Sequence, residues 1–253
     1  MAGTGRYLYA VTRGADPTAL TDVVGLSGGS VDVLEHQGLQ AVVSTVDLAE
    51  YGEEGLRANL ERLDWLEETA RTHDSVIKAV SDLGPVAPMR LATIFLDDDS
   101  VRRRLDEWYH ALAQVLDRVH DRWEWSVKIL ASAGAEAMTV PPARPTSGAD
   151  YLKQKKANLE QKATAQAGSR QQAELVHDAL SERAVAVRLL PAQDPRLSGH
   201  EGTMLINAAY LVAAEHGEEF AAEARARAEQ HPELLVDVQG PWPPYSFAML
   251  EQR

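Results

Sequence analysis

The spacing of apolar and polar positions changes character twice in the first half of the chain. Residues 6–12 (RYLYAVT) are a short run rich in Tyr and Val that ends before Gly14 and Pro17, the composition and boundary of a buried strand. Residues 31–36 alternate apolar with polar, which suits a half-buried strand. Residues 39–46 (LQAVVSTV) return after the turn signal Gln37-Gly38 and predict a hairpin. From Leu56 the period lengthens. Leu56, Leu60, Leu63, Leu66, Ala70, His73, Ile77 and Val80 step by three or four residues and predict one long amphipathic helix, stopped at Gly84-Pro85. Residues 86–96 (VAPMRLATIFL) read as a strand that Pro88 pushes toward an edge or a bulge. Val101, Leu105, Trp108, Leu112, Val115 and Val119 mark a second amphipathic helix. Asp97-Asp98-Asp99-Ser100 precedes it, and acidic side chains there accept bonds from free amides and oppose the helix dipole.

A second unit begins near Trp123. Its predicted elements are a strand at 125–131, a helix at about 149–183, strands at 184–190 and 203–214, a helix at 218–230 stopped by His231-Pro232, and a strand at 234–238. A loop rich in Pro and small residues covers 137–148, and 191–199 is a turn region. The order strand, helix, strand, strand, helix, strand is the ferredoxin-like split βαβ pattern, in which two helices cover one face of an antiparallel sheet. The first half fits a similar order if 17–24 is a short helix. The expectation is an α+β protein of two domains, 1–122 and 123–253.

The helix at 149–183 departs from the plain pattern. It would be about 50 Å long at 1.5 Å per residue. Tyr151, Leu152 and Leu159 anchor one end, and Leu175, Val176, Ala179 and Leu180 the other. Between them, 161–172 has almost no apolar residue beyond alanines and contains the helix-weakening pair Gly168-Ser169. A section without an apolar stripe has little to bury, so this part is expected to project from the body or to break. Lys153, Lys155, Lys156, Lys162 and Arg170 make it the one locally basic segment.

Composition narrows the chemistry. The 253 residues are 45% hydrophobic and 25% charged, ordinary values for a soluble globular chain. Cysteine is absent, which removes disulfides, thiol catalysis and thiolate metal sites. The formal net charge is −13, so duplex nucleic acid would need a concentrated basic patch to bind. No signal-peptide pattern and no apolar run of membrane-spanning length stand out, and the expectation is a soluble intracellular protein.

No phosphate-binding glycine loop is present: Gly25–Gly29 lacks the following lysine, and Gly3-Thr4-Gly5 precedes a strand instead of following one. No GxSxG elbow exists, and the eight histidines do not pair at metal-ligand spacing. His73-Asp74 and His177-Asp178 could each join a general base to a carboxylate, but adjacent helical residues point about 100° apart. His73 lies on the apolar stripe and is expected to be a core-edge histidine with a satisfied hydrogen bond. Asp97-Asp98-Asp99 could take a hard cation, but a helix cap explains it with fewer assumptions. The tail GPWPPYSF (240–247) is stiffened by prolines and carries Trp242, Tyr245 and Phe247; it reads as a strap on its own domain or as a recognition surface. No catalytic, cofactor-binding or metal-binding residue is assigned, and no cofactor is expected.

Several segments in order resemble a known family: YLYAV (7–11), AVVSTV (41–46), HDSVI (73–77), VAPMRLATIF (86–95), EWSVK (124–128), SGADYL (147–152), NAAYLV (207–212) and GPWPPYSF (240–247). This series resembles the gas vesicle accessory proteins of the GvpL/GvpF type. One departure is Leu91-Ala92-Thr93, where the resemblance implies a glycine before the threonine. The resemblance implies two α+β domains, the second a modified ferredoxin-like fold with an extended, broken helix. It implies a non-enzymatic accessory role in forming gas vesicles, in the cytoplasm and at the vesicle. The implied partners are the small hydrophobic shell protein and other vesicle accessory proteins, with no nucleic acid and no lipid membrane. The rival is a small-ligand-binding regulatory protein or an enzyme on a ferredoxin-like scaffold, since that fold hosts many functions. A third reading is a minor structural component of the mature vesicle.

Overall fold

A computed structural model describes residues 3–132, 148–193 and 202–248. The chain divides into two compact units, the described residues of Met1–Glu124 with those of Trp242–Arg253, and Trp125–Pro241.

The first unit is built around strand β1 (Thr4–Thr12), in which Tyr7, Leu8, Tyr9, Ala10 and Val11 are all fully buried. Strands β2 (Asp32–His36) and β3 (Leu39–Asp47) form the expected hairpin. Gln37 and Gly38 both take positive φ, 50° and 79°, the requirement of the two-residue turn whose twist matches the flanking strands. β3 pairs antiparallel with β1, and the register shifts between Leu8 and Ala10, a bulge at Tyr9.

After a short helix α1 (Leu48–Tyr51), the long helix expected from Leu56 to Val80 is instead two pieces, α2 (Glu53–Asn59) and α3 (Leu63–Ser81). Leu60 and Leu63 fit the period but face solvent, 46% and 80% exposed. The buried face of α3 starts at Trp65, whose indole N–H donates to Glu50 Oε1 at 2.6 Å and folds the corner. Trp65, Val76, Ile77 and Val80 pack with Tyr7, Tyr9, Tyr51 and Val42 in one core.

The strand expected at 86–96 is two short pieces, β4 (Val86–Pro88) and β5 (Ile94–Phe95), both antiparallel to β1 along the same edge. The sheet order is β2-β3-β1-β4, with β5 also on β1. Met89 N–H donates to Tyr9 O and Leu8 N–H to Thr93 O, each at 2.8 Å, so the chain leaves the ladder only between those two bonds. Helix α4 (Asp98–Val119) follows, and the Asp97 carboxylate accepts from the Ser100 amide at 2.7 Å and from its hydroxyl at 2.6 Å, the cap the sequence indicates.

The second unit runs β6 (Arg122–Ala131), α5 (Gly148–Ser181), β7 (Ala186–Leu189), β8 (Met204–Ala213), α6 (Gly217–Gln230) and β9 (Leu234–Trp242). Its sheet order is β7-β8-β6-β9. Ala173, Val176 and Leu180 of α5 and Phe220, Ala221 and Ala224 of α6 pack on Trp125, Val127, Ile129 and Tyr210. The loop at 137–147 and most of the turn region, 194–199, lie outside the described residues.

Two expectations need correction. The 34-residue α5 is unbroken, running straight through Gly168-Ser169. Gly168 stands in open space, and the alanines around it restore the propensity that one glycine removes, about 1 kcal/mol. Gln161 and residues 163–168 are all exposed, and burial resumes at Ser169. The tail, expected with the second domain, returns to the first unit from Trp242 on. Long-range side-chain bonds described below hold it there.

The turn between β4 and β5 contains Ala92 at φ 62°, a left-handed conformation that L-residues avoid by about 1–2 kcal/mol. Here stands the residue for which the resemblance implies glycine. Ala92→Gly is expected to raise the unfolding free energy by about 0.5–1 kcal/mol, part of the strain relief being offset by a freer unfolded chain. Ala92→Val should lower it by about 1–2 kcal/mol, because a branched Cβ fits this conformation worst. Urea denaturation of the two variants checks both signs.

Candidate functional site

Tyr7 and His73 meet inside the first unit, brought together by β1 and α3 from positions 66 residues apart. The Tyr7 hydroxyl accepts the Ala92 N–H at 3.0 Å and lies 3.0 Å from His73 Nδ1. His73 Nε2 lies 3.2 Å from the Met89 carbonyl oxygen. One assignment satisfies every group: the hydroxyl donates to Nδ1, and Nε2–H donates to Met89 O. This chain of bonds ties both ends of the strained turn to the core. Burial lowers the His73 imidazole from an ordinary value near 6.5 to about 4, against the opposing pull of the Met89 carbonyl and Asp74. Burial likewise pushes the Tyr7 phenol up, out of reach of ordinary pH. A neutral histidine with both nitrogens engaged is the core-edge residue expected from the sequence.

The outer face of this cluster forms an open groove of about 470 Å³, lined by Ala70, His73, Asp74, Met89, Leu91 and Tyr245 among others. The tail closes one side of it. Tyr245 O–H donates to the Asp74 carboxylate, and burial with that neighbouring charge raises the phenol. The Ser246 amide and hydroxyl both donate to the buried carboxylate of Glu124, each at 2.6 Å. Pro243, Pro244, Phe247 and Ala248 are buried. The aromatic tail is therefore a strap, on the first unit, and of its aromatic residues Trp242 stays exposed, at 46%. Sequence reasoning did not single out Tyr7, Met89 or Glu124. Their signal was membership of the segments 7–11, 86–95 and 124–128 that carry the family resemblance, with nothing to mark the individual residues.

The second unit holds a comparable pair. His177 Nδ1 lies 2.5 Å from the Tyr210 hydroxyl, joining α5 to β8, and the rings meet edge-on at 5.7 Å. The Asp97-Asp98-Asp99 run is divided among three tasks: Asp97 caps α4, Asp98 accepts from Arg6 at 2.6 Å, and Asp99 pairs with Arg102. Among the described residues no group of three His, Cys, Asp or Glu side chains could hold a metal ion. Lys153, Lys155 and Lys156 of α5 are exposed, beside exposed Tyr151, Leu152 and Leu159.

A histidine held neutral makes the fold acid-sensitive. Its folded value lies below its unfolded one, so its contribution is complete above about pH 6.5 and is lost as pH falls toward 4. The loss is on the order of 3 kcal/mol over that window. His73→Gln can keep one acceptor and one donor without a titrating ring. It is expected to flatten the fall in urea midpoint between pH 6.5 and pH 5 relative to the parent protein, while lowering stability at pH 7 by about 1–2 kcal/mol for imperfect geometry.

Known proteins resemble this chain along its whole length. A family model described as "Gas vesicle synthesis protein GvpL/GvpF" matches residues 5–249. Gas vesicle protein L of Streptomyces sp. (strain CB03234) is 38% identical over 251 residues, covering 96% of this chain and 92% of that protein. Gas vesicle protein F of the same strain is 28% identical, covering 95% and 98%. The crystal structure of the gas vesicle protein GvpF from Anabaena sp. PCC7120 shares the fold with a TM-score of 0.70 at 19% identity, over 99% of this chain and 98% of that one. The chain belongs to the GvpL/GvpF family of gas vesicle accessory proteins.

Proposed function

We propose that this chain is a non-enzymatic assembly factor of gas vesicles that binds the small hydrophobic shell protein and other accessory proteins in the cytoplasm. The observation that carries the reading is the family match across residues 5–249. The filled core supports it: His73, the best candidate for a catalytic base, is buried with both nitrogens bonded. A regulatory or enzymatic role would instead be favoured by a deep pocket with convergent polar groups. We read the second unit as a modified ferredoxin-like domain, a reading supported by its βαββαβ element order.

A protein destined to face gas exposes apolar surface before it assembles, and such surface aggregates. A partner with a formal net charge of −13 keeps a complex dispersed by repulsion while its apolar positions cover the exposed patch. Suitable positions are Trp242 and Leu235 on β9, and Leu189 with Val185 at strand β7, all of them exposed. No helix among the described residues is long and apolar enough to cross a membrane.

Co-expression tests the proposal. Shell protein made with this chain is expected to stay largely in the clarified lysate, and without it to move to the pellet. Equal soluble yields in the two cases would count against an assembly role. Vesicles washed in high salt should lose the chain if it acts transiently, and retain it if it is a structural component.

A further inference from the structure

The exposed half of α5 is an amphipathic surface of a particular kind. Tyr151, Leu152 and Leu159 are 54%, 66% and 60% exposed. Leu152 and Leu159 are seven residues apart and so share one face of the helix. Lys155 and Lys156 occupy the intervening turn on that face, with Lys153 beside them. Within 151–170 there are five Lys or Arg residues and one acidic residue, Glu160, whose contact with Lys156 is long at 3.9 Å. In a chain with net charge −13, this basic and apolar stripe is the exception.

The first unit carries the complementary surface. At the corner between α2 and α3, Leu60 and Leu63 are 46% and 80% exposed. Around them, residues 50–68 hold seven Asp or Glu residues against two Arg. Glu53 and Glu67 form surface pairs with Arg57 and Arg71, and exposed pairs of this kind contribute little. Two exposed leucines in an acidic field match two exposed leucines in a basic field, in both apolar content and sign of charge.

We propose that the exposed half of α5 docks on the α2–α3 corner of a second copy of this chain. The two surfaces differ, so the contact is heterologous: each copy offers a stripe to one neighbour and a corner to another. Such contacts build a ring when the rotation closes and an open row when it does not. Apolar area supplies the attraction, and charge fixes the register and excludes stripe-on-stripe pairing.

Sedimentation velocity on the whole chain, without any other vesicle protein, tests this apart from the shell-protein reading. In low salt the mean mass should rise with concentration between about 1 and 100 µM, the range of a micromolar contact. Salt near 1 M should weaken it roughly tenfold or more, since screening then acts within about 3 Å. Lys153→Glu with Lys155→Glu and Lys156→Glu should be monomeric, and Glu61→Lys with Glu67→Lys should be monomeric too. All five positions are exposed, and circular dichroism checks that both variants fold. Mixed together, the two variants regain opposite charge at both contacts and should associate again. A parent protein that stays monomeric throughout, or folded variants that associate unchanged alone, would overturn the proposal. So would a mixture that stays monomeric.

Discussion

The hydrogen-bonded chain from Ala92 through Tyr7 and His73 to Met89 is the constraint on which the first unit depends. Its groups are polar and lie wholly or partly out of water, and a buried one would cost about 1–3 kcal/mol if left without a partner. The chain therefore works as a set. It needs β1 at the sheet centre to bury Tyr7, α3 across that face to present His73, and a turn between β4 and β5 that aims one carbonyl and one amide inward. The left-handed backbone at Ala92 belongs to that aim. Strain there persists because the surrounding bonds leave the turn no other arrangement.

The same turn forms one wall of the groove whose other wall is the tail. Tyr245 and Ser246 reach Asp74 and Glu124 over sequence separations of 171 and 122 residues. Through them the chain returns to its first unit after completing the second. The strap is bound by charge-assisted bonds to carboxylates, one of them buried, and by the packing of its prolines and Phe247. This accounts for an aromatic, proline-rich segment in a place where the tail of a plain α+β domain needs none. It also shifts attention from Tyr245 and Phe247, which are used internally, to Trp242, which is not.

Local features of the fold were legible in the sequence. The Gln37-Gly38 turn, the Asp97 cap and the strand and helix order of the second half each follow from short-range chemistry that tertiary context did not override. Failures arose where a correct period carried a wrong meaning. Leu60 and Leu63 continue the spacing of α3 into a corner that Trp65 and Glu50 fold back, so the stripe looks longer than the helix. Gly168-Ser169 weakens α5 locally, yet the docked turns at Ala173, Val176 and Leu180 and the alanines nearby outweigh one glycine. Tyr7 with His73, and Glu124 with Ser246, were not legible at all, because nothing within a few residues of either partner signals a contact formed across the whole unit.

On the function proposed above, this member of the GvpL/GvpF family acts by contact with other vesicle proteins and not by chemistry on a small molecule. An affinity capture of the tagged chain from cells expressing the neighbouring vesicle genes tests that claim most directly. Recovery of the shell protein together with other vesicle accessory proteins, above a tag-only control, is the expected result. Recovery of metabolic enzymes alone, with no vesicle protein enriched, would contradict it.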